Sequence, residues 1–144
     1  NGYAITFVTT AQNLEFSEDI SALKIITKII ELNSSSFDDF VKELNPTIVL
    51  FDRFMVEEQF GWRVSESCPN ALKVLNTEDL HSMRQARQLA VKENRVFTFD
   101  DLFSDVAKRE VASILRCDLS LMVSEFEIEL LQEFSTLNKM IYFF

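Results

Sequence analysis

The segment VLNTEDLH, residues 74–81, runs an apolar stretch directly into Thr77, Glu78, Asp79 and the chain's only histidine, His81. A neutral imidazole can accept a hydrogen bond from a hydroxyl near neutral pH, and a carboxylate beside it can orient or receive the same group. A second such junction is TIVLFDR, where the apolar run 47–51 gives way to Asp52 and Arg53. A third is SLMVSE, ending on Ser124 and Glu125, and Arg84 follows His81 by about one helical turn. In open α/β sheets ligands bind beyond the carboxyl ends of the strands. Parallel strands at these three places would therefore bring the polar ends onto one rim.

Each of these residues also has a structural explanation. Asp79 or Thr77 can cap a helix that begins near Leu80, and Glu78 can complement its dipole. His81 can be a first-turn surface residue, and Asp52 can cap its own helix or pair with Arg53. Ser124 and Glu127 have capping-box spacing. Phe54, Phe60 and Trp62 fit a helical core better than a cofactor contact. One histidine excludes a multi-histidine metal site, and Glu78, Asp79 and His81 are too close in sequence to favour a closed one; no metal and no cofactor is expected. No G-x-S-x-G elbow supplies a serine nucleophile.

The elements that must position these groups follow from periodicity. Residues 3–11 and 23–32 are rich in β-branched and aromatic residues and read as strands. Ser36 is placed to cap a helix with Phe37, Phe40, Val41 and Leu44 on one stripe, which Pro46 ends. The continuous run 47–51 reads as a strand covered on both faces. A helix over FMVEEQFGWRVSE, a strand over 71–76 and a helix over LHSMRQARQLAVKENR follow, the last with Leu80, Met83, Ala86 or Arg87, and Ala90 on one side. Its Arg84, Arg87, Lys92 and Arg95 make it basic. TFDDLFSDVAKREVASILR carries a Thr98–Asp101 capping pattern and a stripe of Phe103, Val106, Ala107, Val111 and Ile114. Residues 117–124 read as a strand, the segment after Ser124 as a helix, and KMIYFF as a last strand. Strand–helix alternation with continuous apolar strands predicts an α/β fold on a mostly parallel sheet.

Composition narrows the function. A chain of 144 residues, 47% hydrophobic and 26% charged, has the make-up of one globular domain. No apolar run reaches the roughly 18 residues of a membrane-span candidate. A net charge of −9 argues against nucleic acid and anionic membranes as partners. Cys68 and Cys117 match no paired spacing and read as buried, unbridged thiols of a reducing compartment, the cytoplasm. Gly2 and Gly61 are the only glycines, where ordinary usage would give about ten. A glycine-rich phosphate loop is therefore missing from this segment.

FDRFMVEEQFGWRVSESCPNALKVLNTEDLH, then ARQLA, then AKREVASILRCDLSLMVSEFEIELL, resembles the N-terminal half of GT-B glycosyltransferases of the glycosyl transferases group 1 class. The likeness runs over residues 45–134 and is looser before that, resting on ITFVTTAQN as a second sheet strand. It implies a single Rossmann-like domain over 1–144, a mostly parallel sheet with helices on both faces that lacks the family's first strand and its small-residue loop. It implies transfer of a sugar from a nucleotide-sugar donor, held by a second domain with paired glutamates, to an acceptor hydroxyl. On that reading the chain is an incomplete, inactive part of an enzyme; its start without Met and its end on MIYFF fit the same expectation. The matching rim positions are Asp52, Arg53, Glu78, Asp79 and His81. His81 and Asp79 are expected to meet the acceptor hydroxyl, and Arg53 or Arg84 to meet anionic groups of acceptor or donor.

Two rival readings differ in class. A receiver-like signalling domain would use Asp52 as phosphoacceptor and Thr77 as its hydroxyl partner, but no acidic pair follows the first strand to hold Mg²⁺. A non-catalytic interaction module would have the same sheet with a purely structural rim.

Overall fold

In the computed structural model, which describes residues 2–12, 20–134 and 140–142, the apolar run before Asp52 forms β3 (Ile48–Asp52) and the run before His81 forms β4 (Leu72–Glu78). They pair in parallel, with Leu50 opposite Val74 and Asp52 opposite Asn76. β5 (Leu119–Met122) and β6 (Met140–Tyr142) continue the sheet in the same direction, giving the order β3-β4-β5-β6. Parallel neighbours need a crossover, and helices supply each one. They are α2 (Phe54–Ser67), then α3 (His81–Lys92) with α4 (Asp105–Arg116), then α5 (Glu125–Phe134). The sheet is thus of the parallel, Rossmann-like α/β type that the alternation predicts.

The chain divides into two compact units, Asn1–Leu44 and Asn45–Phe144. The first holds β1 (Thr6–Thr9), a short 3₁₀ turn at Ser21–Leu23, β2 (Ile26–Ile29) and α1 (Ser36–Leu44). β1 and β2 pair with each other in parallel, Thr6 opposite Ile26, as a separate two-stranded sheet. The expected stripe on α1 buries Phe37 and Val41 but leaves Leu44 exposed. Lys28 of β2 lies 5.8 Å over the Phe40 ring.

In the second unit side chains alternate along β3 and β5 as the pleat requires, while β4 buries Val74 and Leu75 in succession. Phe51, Leu75, Ser120 and Met122 are buried, whereas Ile48, Leu50 and Leu72 remain exposed. This corrects the reading of 47–51 as covered on both faces: β3 lies at the end of the strand order, with one side of its apolar run open. On α3 the expected stripe holds, with Met83, Ala86 and Ala90 buried behind Leu80. The long helical segment before Cys117 is broken. Thr98 and Asp101 form their capping box on a 3₁₀ turn, Phe99–Leu102, and Ser104 starts α4 afresh by accepting from the Ala107 N–H. Phe103 falls in the break and is exposed rather than core.

Cys68 and Cys117 are both buried and form no disulfide. Burial pushes the Cys117 thiol up to about 12, so it is unreactive at neutral pH. No helix among the described residues is long and apolar enough to cross a membrane.

Candidate functional site at the carboxyl rim

Parallel pairing of β3, β4 and β5 sets their carboxyl ends side by side, so the three polar junctions do share a rim. β4 does not stop at Asn76. It runs on through Thr77 and Glu78, with a register irregularity against β5 between Asn76 and Glu78. Thr77 is buried and its hydroxyl donates to the Leu121 carbonyl at 2.7 Å, so it belongs to the sheet and caps nothing.

Arg53 and Glu78 leave neighbouring strands and meet at 2.9 Å. Both have positive φ, 72° at Arg53 and 60° at Glu78. With ψ 156°, Arg53 occupies a region that only glycine enters readily, and such strain persists where surrounding structure enforces it. The Arg53 N–H supplies one such restraint by donating to the Asn76 carbonyl at 2.9 Å. The Glu78 carboxylate, by hydrogen bond and by charge, raises the Arg53 guanidinium further above its ordinary range. Asp52 is exposed and faces the Asn76 amide at 3.5 Å.

The second cluster surrounds His81, the first residue of α3. Arg84 donates to Asp79 at 3.1 Å and approaches His81 Nδ1 at 2.5 Å. Guanidinium can only donate, so Nδ1 is the acceptor and the ring proton sits on Nε2. Nε2 lies 2.9 Å from the side-chain amide of exposed Gln85, which must then turn its carbonyl oxygen rather than its NH2 towards the Nε2–H, and the ring packs 5.9 Å from that of buried Phe54. The six expected residues therefore gather at two adjoining strand ends: Arg53 with Glu78, Asp79 with Arg84 and His81, and Asp52 beside Asn76. Both rim arginines already have carboxylate partners.

Neither Asp79 nor Thr77 caps α3. Leu80 occupies the cap position and makes no side-chain bond. The helix amides are satisfied from two other helices. His81 and Ser82 donate their N–H groups to Glu110 of α4 at 2.8 and 3.0 Å, the Ser82 hydroxyl adds a bond at 2.6 Å, and Leu80 N–H donates to Glu127 of α5 at 3.2 Å. Glu110 and Glu127 are buried. Burial is the main influence raising the Glu127 carboxyl above its ordinary range, and the Leu80 N–H opposes it. The Ser124–Glu127 box is consequently half formed: Ser124 accepts the Glu127 N–H at 3.4 Å, while the Glu127 side chain reaches to α3 instead.

A third buried acid, Glu57 of α2, is gripped by Arg116 of α4, whose Nε donates at 3.0 Å to one carboxylate oxygen. Gly61, one turn along, leaves room for that carboxylate; a Cβ there would lie 2.9 Å from Glu57 Cδ. A groove of about 340 Å³ opens beside this pair, lined also by Glu58 and Trp62. Phe54 and Phe60 are core as expected, whereas Trp62 is half exposed beneath Arg63. Because the Glu57–Arg116 pair already satisfies the groove's buried charge, the candidate site rests on the rim. Among the described residues no group of three or more potential ligands could hold a metal ion.

Sequence reasoning missed Glu57 and Glu110, and it gave Glu127 a place only in the capping box with Ser124. Their shared signal was visible, since each is an acid at a position where helical spacing calls for an apolar residue. No known family model, curated protein or solved structure matches this chain.

Proposed function

We propose that the chain is the acceptor-side domain of a glycosyltransferase, which moves a sugar from a nucleotide-sugar donor to an acceptor hydroxyl. The observation that carries this reading is the convergence of Asp52, Arg53, Glu78, Asp79, His81 and Arg84 at the carboxyl ends of β3 and β4. The resemblance to GT-B enzymes gives Asp52, Arg53, Glu78, Asp79 and His81 as the matching acceptor-rim positions, with Arg53 or Arg84 meeting anionic groups of acceptor or donor. The donor is held by a second domain, so this chain by itself is inactive.

In the reaction the acceptor hydroxyl oxygen bonds to the sugar's anomeric carbon, the bond to the nucleotide's phosphate breaks, and the hydroxyl proton must leave. His81 Nε2 is the ring atom nearest exposed surroundings, where an acceptor would replace Gln85. With the proton on Nε2, His81 donates to the hydroxyl oxygen and orients it. A carboxylate then has to take the proton, and exposed Asp52 is the rim acid with only one long contact among the described residues. The test is glycosyl transfer by the intact protein across a panel of nucleotide sugars. Loss of turnover in His81→Ala and Asp52→Asn, with folding retained, is the expected result; unchanged turnover in both would make the rim structural.

The receiver-like alternative draws on one observation, the exposure of Asp52 at a strand end. It needs the Thr77 hydroxyl beside a phosphorylated Asp52, whereas that hydroxyl is committed to the Leu121 carbonyl. Incubation with acetyl phosphate and intact-mass measurement decides it, and absence of an adduct on Asp52 retires it.

A further inference from the structure

Helix N-termini attract phosphates because their first N–H groups lack partners and the helix dipole favours negative charge. The N-terminus of α3 lies where such a group would be met, two residues beyond the end of β4. The donors of Leu80, His81 and Ser82 are already spent. Glu110 takes the His81 and Ser82 N–H groups and the Ser82 hydroxyl, and Glu127 takes the Leu80 N–H. Glu110 is only 2% exposed and is held by three bonds of 2.6 to 3.0 Å, so it is a built part of the fold rather than a passing contact. The two rim arginines are equally committed, Arg53 to Glu78 and Arg84 to Asp79.

We infer that Glu110 sets the specificity of this rim by filling the α3 anion position from within, so that the rim rejects phosphorylated or carboxylated acceptors and takes an uncharged polyhydroxyl one. A phosphate arriving here would find the Leu80, His81 and Ser82 amides already paired, and it would meet the carboxylates of Asp52, Glu78 and Asp79. A neutral polyol brings no charge to repel and can exchange hydrogen bonds with these same carboxylates and with His81 Nε2. The inference narrows the expectation that Arg53 or Arg84 would meet an anionic group on the acceptor. It rests on the acceptor-domain reading for the word acceptor, but the exclusion of anions belongs to the geometry alone.

The experiment titrates inorganic phosphate into the ¹⁵N-labelled chain and follows the His81 and Ser82 amide signals. In the unaltered chain they are expected to show no saturable shift. Glu110→Ala opens three donors and is expected to bind phosphate about tenfold or more tightly than the unaltered chain, with thermal stability partly restored by phosphate or formate. If Glu110→Ala does not fold in any of these buffers, Glu110→Gln is read instead; it keeps one carbonyl acceptor, removes the charge, and should show the phosphate shift at Ser82. Saturable binding by the unaltered chain overturns the inference, as does a folded Glu110 variant that still ignores phosphate. The two readings fail separately. Exclusion of phosphate together with absent glycosyl transfer by the intact protein sinks the proposed function and leaves Glu110's role standing. Phosphate binding by the unaltered chain does the reverse.

Discussion

Arg53 and Glu78 join two strand ends through side chains 2.9 Å apart, and each holds a backbone conformation unfavourable for its residue type. Arg53 carries the greater strain, because its φ of 72° is combined with a ψ of 156°. The pair itself is solvent-exposed, and exposed pairs contribute little to stability. Arg53→Gly should therefore raise the melting temperature by a few degrees while removing a rim cation. Thermal denaturation beside a glycosyl-transfer assay of the intact protein reads both effects. A lower melting temperature would mean that the ion pair outweighs the backbone strain.

His81 gives a direct view of the rim because it is the only histidine. Arg84 at Nδ1 requires an unprotonated nitrogen there and a proton on Nε2. Long-range ¹H–¹⁵N correlation spectra at neutral pH should show that tautomer, and Arg84→Ala should let the other one appear. Observation of Nδ1–H as the main form in the unaltered chain would contradict the Arg84 contact.

Gly61→Ala separates propensity from packing. In an ordinary helix interior the change gains about 1 kcal/mol. Here the new Cβ collides with the Glu57 carboxylate, which Arg116 holds in place. We expect a net loss of about 1–3 kcal/mol, the usual range for overpacking. Adding Glu57→Ala should remove most of the penalty specific to position 61, as a denaturant-based double-mutant cycle would reveal.

Two carboxyls give opposite dependences of stability on pH. Asp101, hydrogen-bonded by Arg95 and then by the Thr98 N–H, titrates at about 2 instead of 3.8. Its contribution is full above 3.8 and disappears as pH falls towards 2. Glu127 is shifted upward by burial from an ordinary 4.5, so the folded chain holds its proton more tightly than the unfolded chain does. Its contribution is therefore greatest below 4.5 and is lost as pH rises through the folded value. Glu127→Gln should raise the melting temperature at neutral pH and change it little below 4.5. Equal changes at both ends of that range would count against a raised Glu127.

The sheet was legible because its strands are continuous apolar runs with turn signals between them, and TIVLF and ALKVLN needed only their ends adjusted. Asp52, Arg53 and the residues from Glu78 to Arg84 could be grouped because each lies next to such a run. What the runs could not disclose was who caps α3. Glu110 lies 28 residues beyond Ser82 and Glu127 lies 47 beyond Leu80, so local spacing carries no trace of either bond. Thr77 was misjudged for a related reason: its local sequence suits a cap, but the Leu121 carbonyl on the adjacent strand claims its hydroxyl. The break before α4 was missed because the 98–116 segment keeps a helical stripe straight through Ser104, whose side chain nevertheless starts a new helix.

Gly61 also constrains the order in which the sequence can drift. Position 61 gains a side chain only at a cost in stability while Glu57 is present, and Glu57 cannot leave without changing what Arg116 is for. The least costly order places substitution at 57 first, with a shift at 116 before or alongside it, and 61 afterwards. Three positions spread over two helices should thus be inherited as a block, and the rarity of glycine in this chain makes that block easy to recognise in any descendant sequence.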